Sequence, residues 1–316
     1  MKVSAALPTG VAALLFESAR RRRDLEQRIV GQVMAAGYSE AILPILDYLE
    51  PYESLLTPAS RGELYRFIDR DGEQLALRAD FTPMLARLLA PRLDSLPLPL
   101  RLFYRGDVIR YEEERAGRQR EFYQLGAELR GVLGEPGERA ILRLFLESLA
   151  ASGAGADEPV QVVLGLAGAL DQLVGSAGTG DPEALFAAVA RRERGEVRRL
   201  CGRLLAVVET GLPERPEELG EGAAERLRGL LELRDELASL FPSARLVVDL
   251  AEFAGHGQGD RSYYDGLVFR AFAGPSAVPV GGGGRYDRMF SALGAEIPAV
   301  GFSVSVDRLL QAGVPR

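Results

Sequence analysis

Chemistry-bearing residues concentrate in a few stretches of the chain. In Phe103-Tyr104-Arg105-Gly106-Asp107-Val108-Ile109-Arg110-Tyr111-Glu112, Arg110 and Glu112 stand two apart, on one face of a predicted strand. An arginine fork matches a pair of phosphate oxygens, and a nearby glutamate can hold an amine or orient the arginine. Alone the pair is not diagnostic, because Arg/Glu pairs are common on strand surfaces. A second stretch is Val280-Gly281-Gly282-Gly283-Gly284-Arg285-Tyr286-Asp287. Consecutive glycines let a backbone approach a ligand closely. Flexible linkers carry such runs too, but rarely with Arg-Tyr-Asp and a core strand directly behind them. The expectation is a ligand-facing loop of Gly282, Gly283, Gly284 and Arg285. The third stretch, residues 299–310, is an apolar strand running into a helix whose first turn holds Arg308. A helix N-terminus favours anions, and Arg308 adds a full positive charge there.

What the chain lacks narrows the chemistry. Cys201 is the one cysteine and His256 the one histidine, so disulfide frameworks, thiolate zinc sites and His-rich metal sites are excluded. No metal and no cofactor are expected. His256 lies in Gly255-His256-Gly257-Gln258-Gly259, which reads as a flexible loop. The formal charge is −7, and the basic clusters at 20–23 and 191–203 read as solvated helix faces. Nucleic-acid affinity needs a basic face, so no tRNA partner is expected. No apolar run approaches the ~20 residues of a membrane span, and the first residues are too short for a secretory signal. A cytoplasmic protein without membrane contact is the expectation.

The elements that must position these residues follow from periodicity. Leu14, Leu25, Ile29 and Val33 predict a helix over 11–36, ended by Gly37. A strand is predicted over 42–46, with Pro44 placing it on an edge. Helix and edge strand could form a dimer contact or pack ordinarily; the residues leave both open. Asp71-Gly72 between alternating runs predicts a hairpin over 65–78. A helix is predicted over 82–93, long antiparallel strands over 100–111 and 120–129, and a helix over 138–151. Residues 152–158 read as a linker. Residues 166–240 are rich in Ala, Leu, Arg and Glu at helical period. Strands resume over 245–249, 263–271 and 299–305, before a helix over 306–310. This implies a core of 1–165 and 241–316 interrupted by a helical insertion, 166–240.

Taken in order, the chemistry-bearing stretches resemble motifs 2 and 3 of class II aminoacyl-tRNA synthetases with a glycine loop between them. Arg118-Gln119-Arg120-Glu121-Phe122-Tyr123-Gln124-Leu125-Gly126-Ala127-Glu128 resembles the strand after motif 2 of the histidyl enzyme. Tyr263-Tyr264-Asp265-Gly266-Leu267-Val268-Phe269 resembles its Tyr-Tyr histidine motif. The resemblance runs from about Pro8 to Leu310, and the chain is identified as a member of the histidyl-tRNA-synthetase superfamily. It implies an α+β fold, a class II synthetase-like antiparallel sheet of six or seven strands flanked by helices. It also implies a nucleotide site at Arg110, Glu112 and Arg308, and a histidine-like pocket lined by Asp80, Thr82, Gln124, Glu128, Tyr263 and Tyr264.

The sequence also departs from the synthetase. Where the enzyme has an arginine four residues before its Tyr-Tyr pair, this chain has Gly259; Arg261 is nearby. Losing a preorganised cation costs on the order of several kcal/mol in the transition state. Asp80 replaces a glutamate, and the sequence ends eight residues after Arg308, leaving no room for the enzyme's anticodon-binding domain. These departures resemble a paralogous family, the regulatory subunits of ATP phosphoribosyltransferase. That resemblance implies a non-catalytic homodimer within a hetero-oligomer. Its partner would be a short-form catalytic subunit, its effector histidine. The alternatives are a minimal histidine-activating ligase using Arg110, Arg308 and Arg261, and an RNA-binding regulator of translation.

Overall fold

The computed structural model describes residues 6–56, 58–111, 119–253, 263–275 and 277–313. Glu112, His256, Gly259 and Arg261 lie outside the described residues.

Helix α1 (Phe16–Ala35) buries Leu25, Ile29 and Val33 completely. It begins later than the periodicity predicts, because Ser18 folds back on Leu15. The Ser18 hydroxyl accepts from the Leu15 N–H at 3.0 Å and donates to its carbonyl at 2.7 Å. Gly37, at φ +85°, ends the helix as expected. The strand predicted over 42–46 is absent; short strands β1 (Ser39–Glu40) and β2 (Leu46–Tyr48) flank residues 41–45. Pro44 has no N–H for a ladder. The carbonyls of Leu43 and Pro44 both accept from the guanidinium of buried Arg78 at 2.8 Å, so the chain bends round that side chain.

Helices α2 (Glu50–Leu55) and α3 (Pro58–Gly62) lead to the expected hairpin, β3 (Arg66–Ile68) and β4 (Gln74–Leu77). Its turn is held by the Asp69 carboxylate accepting from the N–H groups of Asp71 and Glu73. Strands β2, β4 and β3 make a small sheet. Helix α4 (Phe81–Leu89) follows, N-capped by Asp80, whose carboxylate accepts from the Thr82 N–H at 2.9 Å.

Strands β5 (Leu100–Ile109) and β6 (Glu121–Arg130) pair antiparallel over their full length. Helix α5 (Glu135–Ser152) precedes β7 (Val160–Leu166), a strand not predicted from the sequence. Five helices follow: α6 (Ala169–Gly175), α7 (Pro182–Ala190), α8 (Arg194–Cys201), α9 (Leu205–Thr210) and α10 (Glu221–Leu240). The chain then gives β8 (Ala244–Val248), β9 (Leu267–Phe272), β10 (Gly281–Arg285), α11 (Asp287–Ser291), β11 (Ala299–Ser305) and α12 (Val306–Gln311).

The main sheet has eight strands in the order β1-β5-β6-β11-β10-β9-β7-β8. Its centre is antiparallel, but β1 runs parallel to β5 and β7 parallel to β8. The expected all-antiparallel sheet is thus mixed at both edges. Parallel neighbours need a long crossover, and helices α6 to α10 are that crossover between β7 and β8. Alternation along β6 separates the two faces of the sheet. Tyr123, Leu125, Ala127 and Leu129 join the core beneath α1 and α5, while Phe122, Gln124 and Glu128 face a cavity. Among the described residues, no helix is long and apolar enough to cross a membrane.

Arg78 ties 41–45 to β5 through the Leu43 and Pro44 carbonyls and, at 2.8 and 3.1 Å, the Asp107 carbonyl. Arg78→Leu leaves buried carbonyls unpaired, at about 1–3 kcal/mol each. The expected outcome is a loss of about 3–5 kcal/mol, read as a lower urea midpoint at unchanged m.

Candidate functional site

A cavity of about 290 Å³ opens on the sheet face opposite α1 and α5. Strands β6, β9, β10 and β11 form its floor, and the start of α4 with Leu55, Leu56, Ser60 and Glu63 forms its wall. Asp80, Thr82, Gln124, Glu128, Tyr263 and Tyr264 all line it, as do Arg110 and Arg308. Segments far apart in sequence therefore meet here.

Glycines hollow the floor. The missing side chain of Gly126 leaves room for the Tyr104 ring, that of Gly301 for the Glu128 carboxylate, and that of Gly284 for the Tyr264 ring. The glycine run is not a loop, as the sequence reading expected, but strand β10, paired to β9 and β11 on both sides. Gly282 and Gly283 line the cavity from within the sheet, while Gly284 is covered by Tyr264. Arg285 does not face a ligand. Its Nε donates to Glu138 Oε1 at 2.8 Å and its Nη2 to the Gly134 carbonyl at 2.6 Å, with Asp287 at 3.2 Å from Nη1. It is a structural residue that pins β10 to the start of α5.

At the deep end Glu128 is 1% exposed. Thr82 Oγ1 donates to its Oε1 at 2.8 Å, and the Tyr286 hydroxyl donates to its Oε2. The Tyr104 hydroxyl lies 3.4 Å from Thr82 Oγ1. Burial pushes the Glu128 carboxyl above the ordinary range, against the pull of the Arg130 charge and the Tyr286 and Thr82 hydrogen bonds. Burial also drives the Tyr104, Tyr263 and Tyr286 phenols well up, so they stay un-ionised. Gln124 Nε2 donates to Ser303 Oγ at 2.6 Å, leaving its buried Oε1 with no partner among the described residues. That oxygen is an acceptor available to a bound donor.

At the other end the Phe122 ring lies between two arginines, 5.6 Å from the guanidinium carbon of Arg110 and 5.2 Å from that of Arg308. Arg110 Nε donates to the Ala79 carbonyl at 2.6 Å, and its Nη2 to Asp80 at 3.3 Å. Arg308 Nη1 donates to the Pro279 carbonyl at 3.2 Å. The Asp307 carboxylate accepts from the Tyr123 N–H at 2.6 Å, which seats Arg308 beside Phe122. Among the described residues no cluster of three or more His, Cys, Asp or Glu could hold a metal.

Sequence reasoning missed Tyr104, Phe122, Tyr286 and Ser303, which line the cavity, and Arg130, which touches it only through Tyr286. Alternation along β6 could have found Phe122 and Arg130, since both share a face with Gln124 and Glu128.

With this geometry in place, similarity to known proteins becomes specific. The histidyl-tRNA synthetase family model matches residues 10–309. An ATP phosphoribosyltransferase regulatory subunit from Moorella thermoacetica is 35% identical across 97% of this chain and 81% of its own length. The chain belongs to this family, within the histidyl-tRNA synthetase superfamily. A histidine–tRNA ligase from Pyrobaculum calidifontis is 32% identical across 87% of this chain and 67% of that protein, so the synthetase branch remains a near relative of the regulatory subunits. The fold agrees: a crystal structure from Bacillus halodurans, described as an ATP phosphoribosyltransferase regulatory subunit/histidyl-tRNA synthetase, matches with TM-score 0.83. Its sequence identity is 25%, and the match covers 100% of this chain and 85% of that one.

The raised Glu128 carboxyl makes stability depend on pH. The folded state holds this proton more tightly than the unfolded state. Its contribution is therefore complete below the ordinary value of 4.5 and is lost as pH rises through the folded titration. Glu128→Gln keeps an acceptor for Thr82 or Tyr286 and removes the titration. Urea unfolding from pH 4 to 8 is expected to show the variant gaining stability on the wild type as pH rises. A constant difference across that range would contradict the assignment.

Proposed function

We propose that this chain is a non-catalytic regulatory subunit. In this reading it activates a short-form ATP phosphoribosyltransferase catalytic subunit and supports its feedback inhibition by histidine, in the first step of histidine biosynthesis. Residues 166–240 are then a helical unit inserted between core segments 1–165 and 241–316, and the complex is cytoplasmic. The observation that carries the reading is an amino-acid-sized pocket beside cations already engaged by the chain itself. The cavity lies near the lower end of small-molecule sites, ~300 Å³, and offers Glu128 and Gln124 Oε1 as acceptors. Arg110 and Arg308, which a nucleotide would need, donate to the backbone carbonyls of Ala79 and Pro279. Gly259 stands where a synthetase carries a cation for the attacking carboxylate. A site that holds an amino acid without the means to activate it can report occupancy, and the free energy coupling it to a partner acts in both directions.

Histidine-dependent ATP–pyrophosphate exchange tests this directly. The expected rate is more than ~10-fold below that of a functional synthetase, a gap exceeding about 1.4 kcal/mol. Mixed with a short-form catalytic subunit, the chain is expected to raise phosphoribosyltransferase activity and make it sensitive to histidine. Exchange at synthetase rates without such activation would favour the ligase reading.

The same reading includes a homodimer. Ile42 is 89% exposed and Ile68 71%, with Tyr48 and Phe67 also exposed on the small sheet, and Phe16 at the start of α1 is 92% exposed. Apolar groups this open fit an interface. Light scattering at micromolar concentration is expected to give a dimer, and Ile42→Glu with Ile68→Glu to shift it toward monomer. A wild-type monomer under these conditions overturns this part.

A further inference from the structure

Arg130 is the largest fully buried side chain among the described residues, and it lies outside the cavity lining. It stands two residues beyond Glu128 on the same face of β6. Its guanidinium carbon is 4.5 Å from the Phe290 ring centre and 5.7 Å from that of Tyr286. Nη1 donates to the Tyr286 hydroxyl at 3.1 Å, while Nε and Nη2 have no hydrogen-bond partner among the described residues. An arginine is donor-only and stays protonated. The Tyr286 oxygen must therefore accept from Arg130, and its single proton is sent on to Glu128 Oε2. Thr82 donates to the other oxygen. Both bonds thus present Glu128 as an acceptor, with two lone-pair positions left for a ligand.

We propose that Arg130 is a positioning residue for the pocket. Acting through Tyr286, it keeps both Glu128 oxygens facing as acceptors and so selects a ligand group that donates, an ammonium or an imidazole N–H, over one that accepts. The proposal rests on reading the cavity as a histidine-like site. A buried arginine with no charged partner is costly, and Glu128 answers its charge across one hydroxyl. The groups facing Glu128 come from every neighbouring element. Asp80, at the start of α4, opposes its charge; Thr82 of α4, Tyr286 before α11 and Arg130 of β6 favour it. The phenols of Tyr38 after α1, Tyr104 of β5 and Tyr263 are un-ionised at neutral pH.

The test compares wild type with Arg130→Leu, Arg130→Lys and Tyr286→Phe in two measurements. In the ligand-free protein, carbon-13 NMR of labelled glutamate carboxyls, with Glu128→Gln to assign the signal, follows the Glu128 titration. It is expected to move to higher pH in Arg130→Leu and Tyr286→Phe and to stay near wild type in Arg130→Lys. Calorimetry with L-histidine then gives affinity from pH 6 to 9. Arg130→Leu is expected to bind ~10-fold or more weakly than wild type at pH 6, the ratio shrinking as pH rises and Glu128 ionises. A purely structural role would give a loss that does not vary with pH. That result, or an unmoved Glu128 titration, overturns the proposal. If Arg130→Leu does not fold, Arg130→Lys and Tyr286→Phe carry the same comparison. A wild type that binds no histidine, with the carboxyl titration shifting as stated, upholds the Arg130–Glu128 linkage and overturns the histidine reading of the pocket instead.

Discussion

Everything at the site depends on side chains that are missing. A sheet packed on one face by helices is flat or gently twisted, and ordinary residues on its other face would fill the space a ligand needs. Here Gly126, Gly284 and Gly301 sit opposite or beside residues that must lie down into the sheet: Tyr104, Tyr264 and Glu128. Each glycine weakens its strand through backbone entropy and lost packing. The cost is tolerated because β10 and β11 are interior strands, paired on both edges and backed by Phe145, Phe269 and Phe302. A polar pocket is thereby carved into the interior of the sheet.

Carving polar groups into a core raises the question of how they are satisfied. The answer is a directed arrangement in which donors converge on one carboxylate. Thr82 and Tyr286 both donate to Glu128, and neither can reverse without leaving an acceptor facing an acceptor. Low polarity strengthens each bond and penalises each gap. The same logic works at the cavity mouth. Arg110, just past β5, and Arg308, in α12, both reach Phe122, and each donates to a backbone carbonyl, of Ala79 and of Pro279. Cations held in this way have part of their hydrogen-bonding capacity already committed to the chain.

Much of this was legible in the sequence, and what was not has definite causes. Arg110 and Arg308 could be picked out by residue type and place in the chain, whereas Gln124, Glu128, Tyr263 and Tyr264 were legible only through the resemblance to the histidyl enzyme. The paired strands β5 and β6 could be drawn from alternation alone. The glycine run misled because the signature of a loop, conformational freedom, is also what a strand shows when its neighbours need the space. The strand predicted over 42–46 failed for a tertiary reason: Arg78, more than thirty residues away, claims the carbonyls of Leu43 and Pro44 at 2.8 Å. Strand β7 was missed because a short apolar run next to helical composition has no period of its own to declare it. Arg130 was passed over because a charged residue at the end of a strand ordinarily belongs to the surface.

Strand β6 offers a physical route between the pocket and the outside. Phe122, Gln124 and Glu128 floor the cavity; Tyr123, Leu125, Ala127 and Leu129 face the core beneath α1 and α5. On that second face the Tyr123 hydroxyl donates to Glu26 at 2.8 Å, and Glu26, fully buried on α1, also accepts from Arg105 at 2.8 Å. Arg105 in turn reaches Glu40 of β1 at 2.7 Å. One strand therefore carries groups that line the cavity and, one residue away, groups that fix α1 and the edge strand. Those are the elements that lead to the exposed apolar residues at Phe16 and Ile42. A strand moves both faces together, so any displacement of β6 on the cavity side would be shared by the Glu26 network. Coupling of this kind needs no long-range wire beyond the strand itself.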